Sequence, residues 1–184
     1  ALTDQDDPDI RRQLETAITV ILPAKCDDGY LNTFFTKPEE RFTNPDAHEM
    51  YCAGHYFQAA IAIDRCLGDD RVLNSAIRFA DYLYNRFGPD KKEVWACGHP
   101  EIEMALVELY RTTDDKKYLD FSRHILDQLN ADASWKTAWS EDCTVKFTER
   151  TELWGHAVRN LYMACGGSDL WAETDDPQIA QAVN

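Results

Sequence analysis

The stretch GHPEIEMALVELYRTTDDKKYL, residues 98–119, decides the fold. Pro100 stands where a helix opens, and Ile102, Ala105, Leu106 and Leu109 recur at helical spacing. The Asp114-Asp115 pair then interrupts the run, with Asp115 placed to cap a second helix bearing Leu119, Ser122, Leu126 and Leu129. This reads as one helical hairpin. The Gly-His pair before it and the Asp-Asp turn within it come round three times: Gly54-His55 with Asp69-Asp70, Gly98-His99 with Asp114-Asp115, and Gly155-His156 with Asp175-Asp176. The spacing is similar in the first two copies and longer in the third. Such a repeat predicts stacked helix pairs that share a core.

Outward from this hairpin, the pattern stays helical. Near the start, Asp7 and Pro8 form a helix-opening signal, followed by Ile10, Leu14, Ile18 and Ile21 on one face and a stop at Pro23. Residues 25–45 read as a long loop with Asp27-Asp28-Gly29, Pro38 and Pro45; its aromatics Tyr30, Phe34 and Phe35 point to an ordered, functional segment. A second helix is expected over about 47–67, closed by Gly68, and a third from Leu73 to Phe87 before Gly88-Pro89. Beyond the quoted hairpin come a loop with Trp135 and Trp139, a sixth helix over about 152–165, and a seventh opened by Asp176-Pro177. The expected class is all-α: helical-hairpin repeats over residues 1–184, forming part of a six-pair (α/α)6 toroid. An open stack needs polar capping units and a toroid closes on itself, so the chain is expected to belong to a longer protein.

Composition narrows the function. The chain is 44% hydrophobic and 28% charged, with no apolar run near the roughly 18 residues of a membrane span. The formal charge of −14, from 33 acids against 19 Lys and Arg, opposes a phosphate backbone. Neither a membrane nor nucleic acid is the expected partner. Six cysteines stand singly, without CxxC pairs, and read mostly as reduced, buried and apolar, which leans toward a reducing compartment. No GxGxxG, Walker loop, GxSxG or HExxH is present.

The histidines are the chemical candidates. His48, Cys52 and His55 share one helical face with Glu49 beside the first, a spacing open to zinc and equally to a core-facing stripe with one bonded histidine. His99 precedes Pro100 at a helix start, where free N–H groups favour an anionic or hydroxyl-rich ligand, and it could also simply cap the helix. Glu101 and Glu103 in that first turn fit dipole compensation as well as a site. His156 reads as one turn or more inside the sixth helix, as a site residue or an ordinary packed histidine. Tyr30, Trp95, Trp135, Trp139 and Trp154 suit stacking on a sugar ring and equally a core.

Four ordered motifs then carry a resemblance: DGYLNTFF (28–35), HEMYCAGH (48–55), GHPEIE with ALVELYR (98–111), and GHAVR (155–159). Together they closely resemble glycoside hydrolase family 127, the bacterial β-L-arabinofuranosidase family, formerly a domain of unknown function. The resemblance implies an (α/α)6 toroid followed by β-sandwich domains, releasing non-reducing terminal L-arabinofuranose from glycans with retention. It implies a cysteine nucleophile on zinc, held by further cysteines and a glutamate, and a second glutamate as acid/base. Zinc keeps such a thiol deprotonated. These groups are expected after the GHAVR motif and so beyond Asn184, which leaves no catalytic residue, no metal ligand and no zinc expected in these 184 residues. Glu141-Asp142-Cys143 precedes that motif and has the wrong order.

What the resemblance carries over is sugar binding by His48 or His55, by His99 and by His156, with Glu49 and Tyr30 as further candidates. Cys26 and Trp95-Ala96-Cys97 depart from the family's pattern and bear on the pocket wall and substrate preference. The partner expected is an L-arabinofuranose-containing glycan, with the C-terminal half of the same protein completing the enzyme. The second reading is a non-catalytic carbohydrate-binding or scaffold remnant of the same fold.

Overall fold

The computed structural model describes residues 2, 5–93, 95, 98–128, 145–152 and 155–183, which form seven α-helices and no strand among them. The helices are α1 (Pro8–Ala24), α2 (Glu49–Leu67), α3 (Arg71–Phe87), α4 (Ile102–Thr113), α5 (Lys116–Gln128), α6 (Ala157–Thr174) and α7 (Pro177–Val183). Helices α2, α4 and α6 lie side by side as an inner layer, and α3, α5 and α7 return along them. α1 packs on α3, and α3 on α5. The all-α hairpin array is the arrangement of a partial helical toroid. Because each return helix reverses the chain, the N-termini of α2, α4 and α6 all emerge at one end.

The turns repeat atom for atom. Gly68 (φ 67°), Asp114 (φ 59°) and Asp175 (φ 52°) sit in the left-handed conformation and donate their N–H groups to the carbonyls of Asp64, Tyr110 and Trp171, each at 2.8 Å. The following aspartates, Asp69, Asp115 and Asp176, accept N–H groups two residues on, from Arg71 (3.1 Å), Lys117 (3.1 Å) and Gln178 (2.8 Å). The first copy is therefore shifted by one residue: Gly68-Asp69, not Asp69-Asp70, corresponds to the later Asp-Asp pairs.

Several boundaries differ from the sequence reading. α1 runs through Pro23 to Ala24, and of its apolar face only Ile18 is buried, while Ile10 and Ile21 stay exposed. α6 starts later and ends later than expected. Gly155 takes a positive φ of 89° that stops any helix before His156, and the Gly166-Gly167 pair is filled from outside rather than ending the helix. A Cβ at Gly166 would lie 3.0 Å from Glu103 Cβ, and one at Gly167 2.5 Å from the Phe147 ring.

The long loop folds into the core. Tyr30 is 0% exposed, with its ring packed edge-on against Phe42, Phe79 and Tyr82, while Phe34 is 81% exposed. The anchor is Glu49, in the first turn of α2: it accepts the Tyr30 hydroxyl at 2.5 Å and the Phe42 N–H at 2.7 Å. Arg41, itself buried, lies 4.0 Å over the Tyr30 ring and donates to Asp28 (2.6 Å) and the Cys26 sulfur (3.3 Å). Trp95 is likewise core, packed on Phe42 and Phe87.

Two carboxyls of α4's start are buried between the inner helices. Glu101 and Glu103 are both 0% exposed. Burial, then its neighbours Glu103 and Glu108, pushes Glu101 up to about 8, and burial pushes Glu103 up to about 7. Their burial exceeds anything dipole compensation requires.

The cysteines differ too. Cys52, Cys66 and Cys165 are free but exposed, and Cys26 is half-buried, so the expectation that most are buried fails at the three on α2 and α6. Those three lie on faces with Ala59 and Ala62 of α2, or Val158 and Leu161 of α6, which no described residue covers. Cys97 and Cys143 lie outside the described residues.

Two outcomes follow from this packing. Tyr30→Phe removes one of the two donors to buried Glu49 and is expected to cost about 1–3 kcal/mol in urea denaturation. From about pH 5 upward, folded Glu101 and Glu103 hold protons that the unfolded chain has already released, so stability falls as pH rises, by up to roughly 2–3 kcal/mol per pH unit near pH 6, and the slope fades toward pH 8 as Glu103 and then Glu101 ionise. Denaturation at several pH values is expected to show this slope, and a Glu101→Gln/Glu103→Gln double variant to flatten it.

Candidate functional site

The site stands at the end where the inner helices begin. His48 immediately precedes α2 in the left-handed conformation (φ 62°), unusual for a residue with a Cβ, and its Nδ1 lies 2.5 Å from the Asp46 carbonyl. His99 stands just before α4, its Nδ1 3.3 Å from the Pro100 carbonyl. His156 caps α6, its Nδ1 accepting the Arg159 N–H at 3.4 Å. It is thus at the helix start rather than a turn inside. The structural repeat is His48, His99 and His156, while His55 lies within α2, so the first Gly-His pair is no equivalent of the other two.

Close backbone contact brings these starts together. Gly98 donates its N–H to the Pro45 carbonyl at 3.2 Å, and a Cβ there would meet Asp46 Oδ1 at 2.8 Å. The entry loops of α2 and α4 are therefore in contact, with the His48 and His99 rings 5.5 Å apart. The His99 ring lies 6.2 Å from His156 and 4.5 Å from Tyr51. Tyr51 also faces His48 (5.7 Å) and His55 (4.5 Å), and Tyr162 of α6 lies 6.1–6.2 Å from His99, His55 and Tyr51. Three histidines thus face two tyrosines, and His156 joins the cluster through His99.

Tyr30 and Glu49 are placed differently. Both are buried and bonded to each other, so they brace the loop under His48 rather than join the ring cluster. Trp135, Trp139, Trp154 and Glu141-Asp142-Cys143 lie outside the described residues.

Sequence reasoning missed Tyr51, Tyr162 and the placement of Glu101. Tyr51 was findable, since it falls one turn after His48 and one before His55. Tyr162 carries no such signal, because its neighbours in the cluster come from other helices. Glu101 Oε1 lies 3.5 Å from His55 Nδ1, behind the ring.

The electrostatics favour neutral groups. Burial, with the nearby Arg159, His48 and His156, holds His99 below the usual imidazole range, so it is uncharged at neutral pH. Burial and a hydrogen bond with Tyr162 raise the Tyr51 phenol, and burial with the Glu101 and Glu49 charges raises the Cys52 thiol. Among the described residues no three His, Cys, Asp or Glu side chains converge as metal ligands, so His48, Cys52 and His55 do not form a zinc site. The cluster can donate and accept hydrogen bonds and offer ring faces, with His99 held neutral.

Comparison with known proteins identifies the family. A family model described as the β-L-arabinofuranosidase GH127 catalytic domain matches residues 1–184. A non-reducing end β-L-arabinofuranosidase of Bifidobacterium longum subsp. longum is 36% identical over 135 residues, covering 69% of this chain and 20% of that protein. The crystal structure of a GH127 β-L-arabinofuranosidase from Geobacillus stearothermophilus T6 superposes with a TM-score of 0.88 at 32% identity, over 99% of this chain and 32% of that one. A GH127 β-arabinofuranosidase structure superposes with a TM-score of 0.86 at 30% identity, over 99% of this chain and 30% of the other. The chain therefore spans a third or less of these relatives' length. Over its own whole length, it belongs to the GH127 β-L-arabinofuranosidase catalytic-domain family.

Proposed function

We propose that this chain is the sugar-recognising arc of a β-L-arabinofuranosidase, in which His48, His55, His99 and His156 hydrogen-bond the hydroxyls of a terminal L-arabinofuranosyl unit. The observation that carries this reading is the meeting of rings from three successive helix pairs: His48, His55 and His99 face Tyr51 and Tyr162, and His156 joins them through His99. Neutral imidazoles and phenols can each act as donor or acceptor, which matches a ligand made of hydroxyls. The tyrosine rings add apolar faces of the kind that pack against sugar C–H groups.

The hydrolytic step belongs to the complete enzyme in this reading. In the family the resemblance points to, a retaining mechanism uses a zinc-held cysteine thiolate, and the described residues contain no fitting ligand set. The exposed faces of α2 and α6, with Cys52, Ala59, Ala62 and Cys66 on one and Val158, Leu161 and Cys165 on the other, suit burial against further inner helices of an (α/α)6 toroid. The non-catalytic carbohydrate-binding remnant uses the same cluster and differs only in lacking that continuation.

Titration of the chain with methyl β-L-arabinofuranoside, followed by NMR or calorimetry, is expected to show binding that His99→Ala weakens about tenfold or more. The lowered His99 predicts that binding persists below pH 6.5 and is lost only as the ring finally protonates. Equal binding of an L-arabinopyranoside, or none by either sugar, defeats the assignment. The 184-residue chain is also expected to leave a chromogenic β-L-arabinofuranoside uncleaved and to hold zinc well below one equivalent. Turnover would place the catalytic groups within these residues.

A further inference from the structure

We infer that Glu101 is a positioning residue for His55: its buried carboxyl reaches through the space left by Gly54 to Nδ1 of the ring and turns Nε2 toward the histidine and tyrosine cluster. The inference deepens the sugar-binding reading and rests on it for the identity of the ligand, though not for the coupling of the two side chains.

Three observations meet here. First, Glu101 Oε1 lies 3.5 Å from His55 Nδ1, with the carboxyl fully buried and the imidazole 43% exposed. The acid is on the inner side of the ring and the opening on the outer. Second, neither Glu101 oxygen has a hydrogen-bond partner among the described residues. Its neighbour Glu103 does, accepting the Glu101 N–H at 2.8 Å, so helix-start capping is already supplied and Glu101 is left for another task. A buried carboxyl without a full partner is costly and persists only where the surrounding structure holds it. Third, the space is built for it. A Cβ on Gly54 would stand 1.6 Å from Glu101 Oε2 and 2.8 Å from the Ile102 Cα, so α2 carries glycine one residue before the histidine that the carboxyl meets.

A carboxyl behind an imidazole fixes the ring's orientation and couples the proton on the outward Nε2 to the carboxyl's own protonation. When the acid shares one proton with Nδ1, Nε2 keeps its own and is a donor; when that shared proton remains on Nδ1 and Nε2 is bare, it is an acceptor. Tyr51, 4.5 Å away, and Tyr162, at 6.2 Å, meet the ring edge-on and limit its swing. His55 therefore contributes a directed hydrogen bond although it sits outside the repeat that positions His48, His99 and His156.

The test uses the 15N-labelled chain and long-range 1H–15N spectra of its imidazoles, with His55 assigned by its loss in His55→Gln. Glu101→Gln, which keeps the side chain's shape, is expected to move the His55 nitrogen resonances and leave those of His124 on α5 unchanged. In titrations with methyl β-L-arabinofuranoside, Glu101→Ala is expected to lose about tenfold in affinity and Glu101→Gln to keep most of it. In a His55→Gln background, Glu101→Ala is expected to cost nothing further. His55 resonances that ignore Glu101→Gln, or an affinity loss that is the same with and without His55, overturn the inference. A chain that shows the ring coupling but no affinity for the arabinofuranoside overturns the sugar-binding reading and leaves this one standing.

Discussion

The first turn of α4 is held between two glycines, Gly54 of α2 and Gly166 of α6, and the inner layer depends on that contact. Any Cβ at Gly54 would collide with the Glu101 carboxyl and the Ile102 backbone, and one at Gly166 would lie 3.0 Å from Glu103 Cβ and 3.2 Å from the Met104 nitrogen. Helices spaced by ordinary side chains stand 8–10 Å apart, whereas glycine lets a neighbouring backbone come closer. Close approach on both sides of α4 seats its first turn against the bodies of α2 and α6, and the entry loops of α2 and α4 meet where Gly98 bonds the Pro45 carbonyl. Two buried carboxyls accompany this arrangement, and their raised proton affinities mark its electrostatic cost. Ion pairs from Arg111 to Asp169 (2.8 Å) and Glu173 (2.6 Å) join α4 to α6 nearer their other ends.

Glu49 extends the same construction to the loop. Its position in the first turn of α2 lets one carboxylate serve the Tyr30 hydroxyl and the Phe42 N–H, which fastens residues 26–47 across α2 and α3. Phe42 holds a left-handed backbone (φ 57°) that a large side chain rarely adopts, and its N–H bond to Glu49 helps offset that strain. His48, one residue before Glu49, is strained in the same way (φ 62°), so the residue that braces the loop stands directly beside one that faces the site.

Much of the fold was legible, because hairpins are written in local signals. The Asp caps, Pro8, Pro177 and Gly68 act within a few residues of themselves, and they put the turns where the structure has them. The misreadings have two physical sources, tertiary contact and local backbone conformation. Gly166-Gly167 reads as a helix end in isolation, yet Glu103 and Phe147 occupy the space beside it and the helix continues. His156 was displaced into the helix because the positive φ of Gly155 is invisible in composition. Glu101 and Tyr30 look alike on paper, as polar residues near histidines, and only packing separates the one behind His55 from the one bonded to Glu49.

The chemistry of the cluster also explains its coexistence with a strongly acidic chain. A net charge of −14 repels anions at long range, and the helix N-termini that would attract them are fronted by imidazoles, with Arg159 in the first turn of α6 as the nearby cation. His99 is kept neutral by burial, and the Tyr51 phenol stays protonated for the same reason. A neutral polyol meets no Coulomb penalty in such a place, and each of its hydroxyls needs both a donor and an acceptor to replace the water it leaves. Imidazole supplies both from one ring, provided the ring is fixed, and each of the four here has a neighbour at one nitrogen: the Asp46 carbonyl, Glu101, the Pro100 carbonyl and the Arg159 N–H. The second nitrogen of every ring is thereby given a direction, which is the condition that the proposed sugar recognition requires.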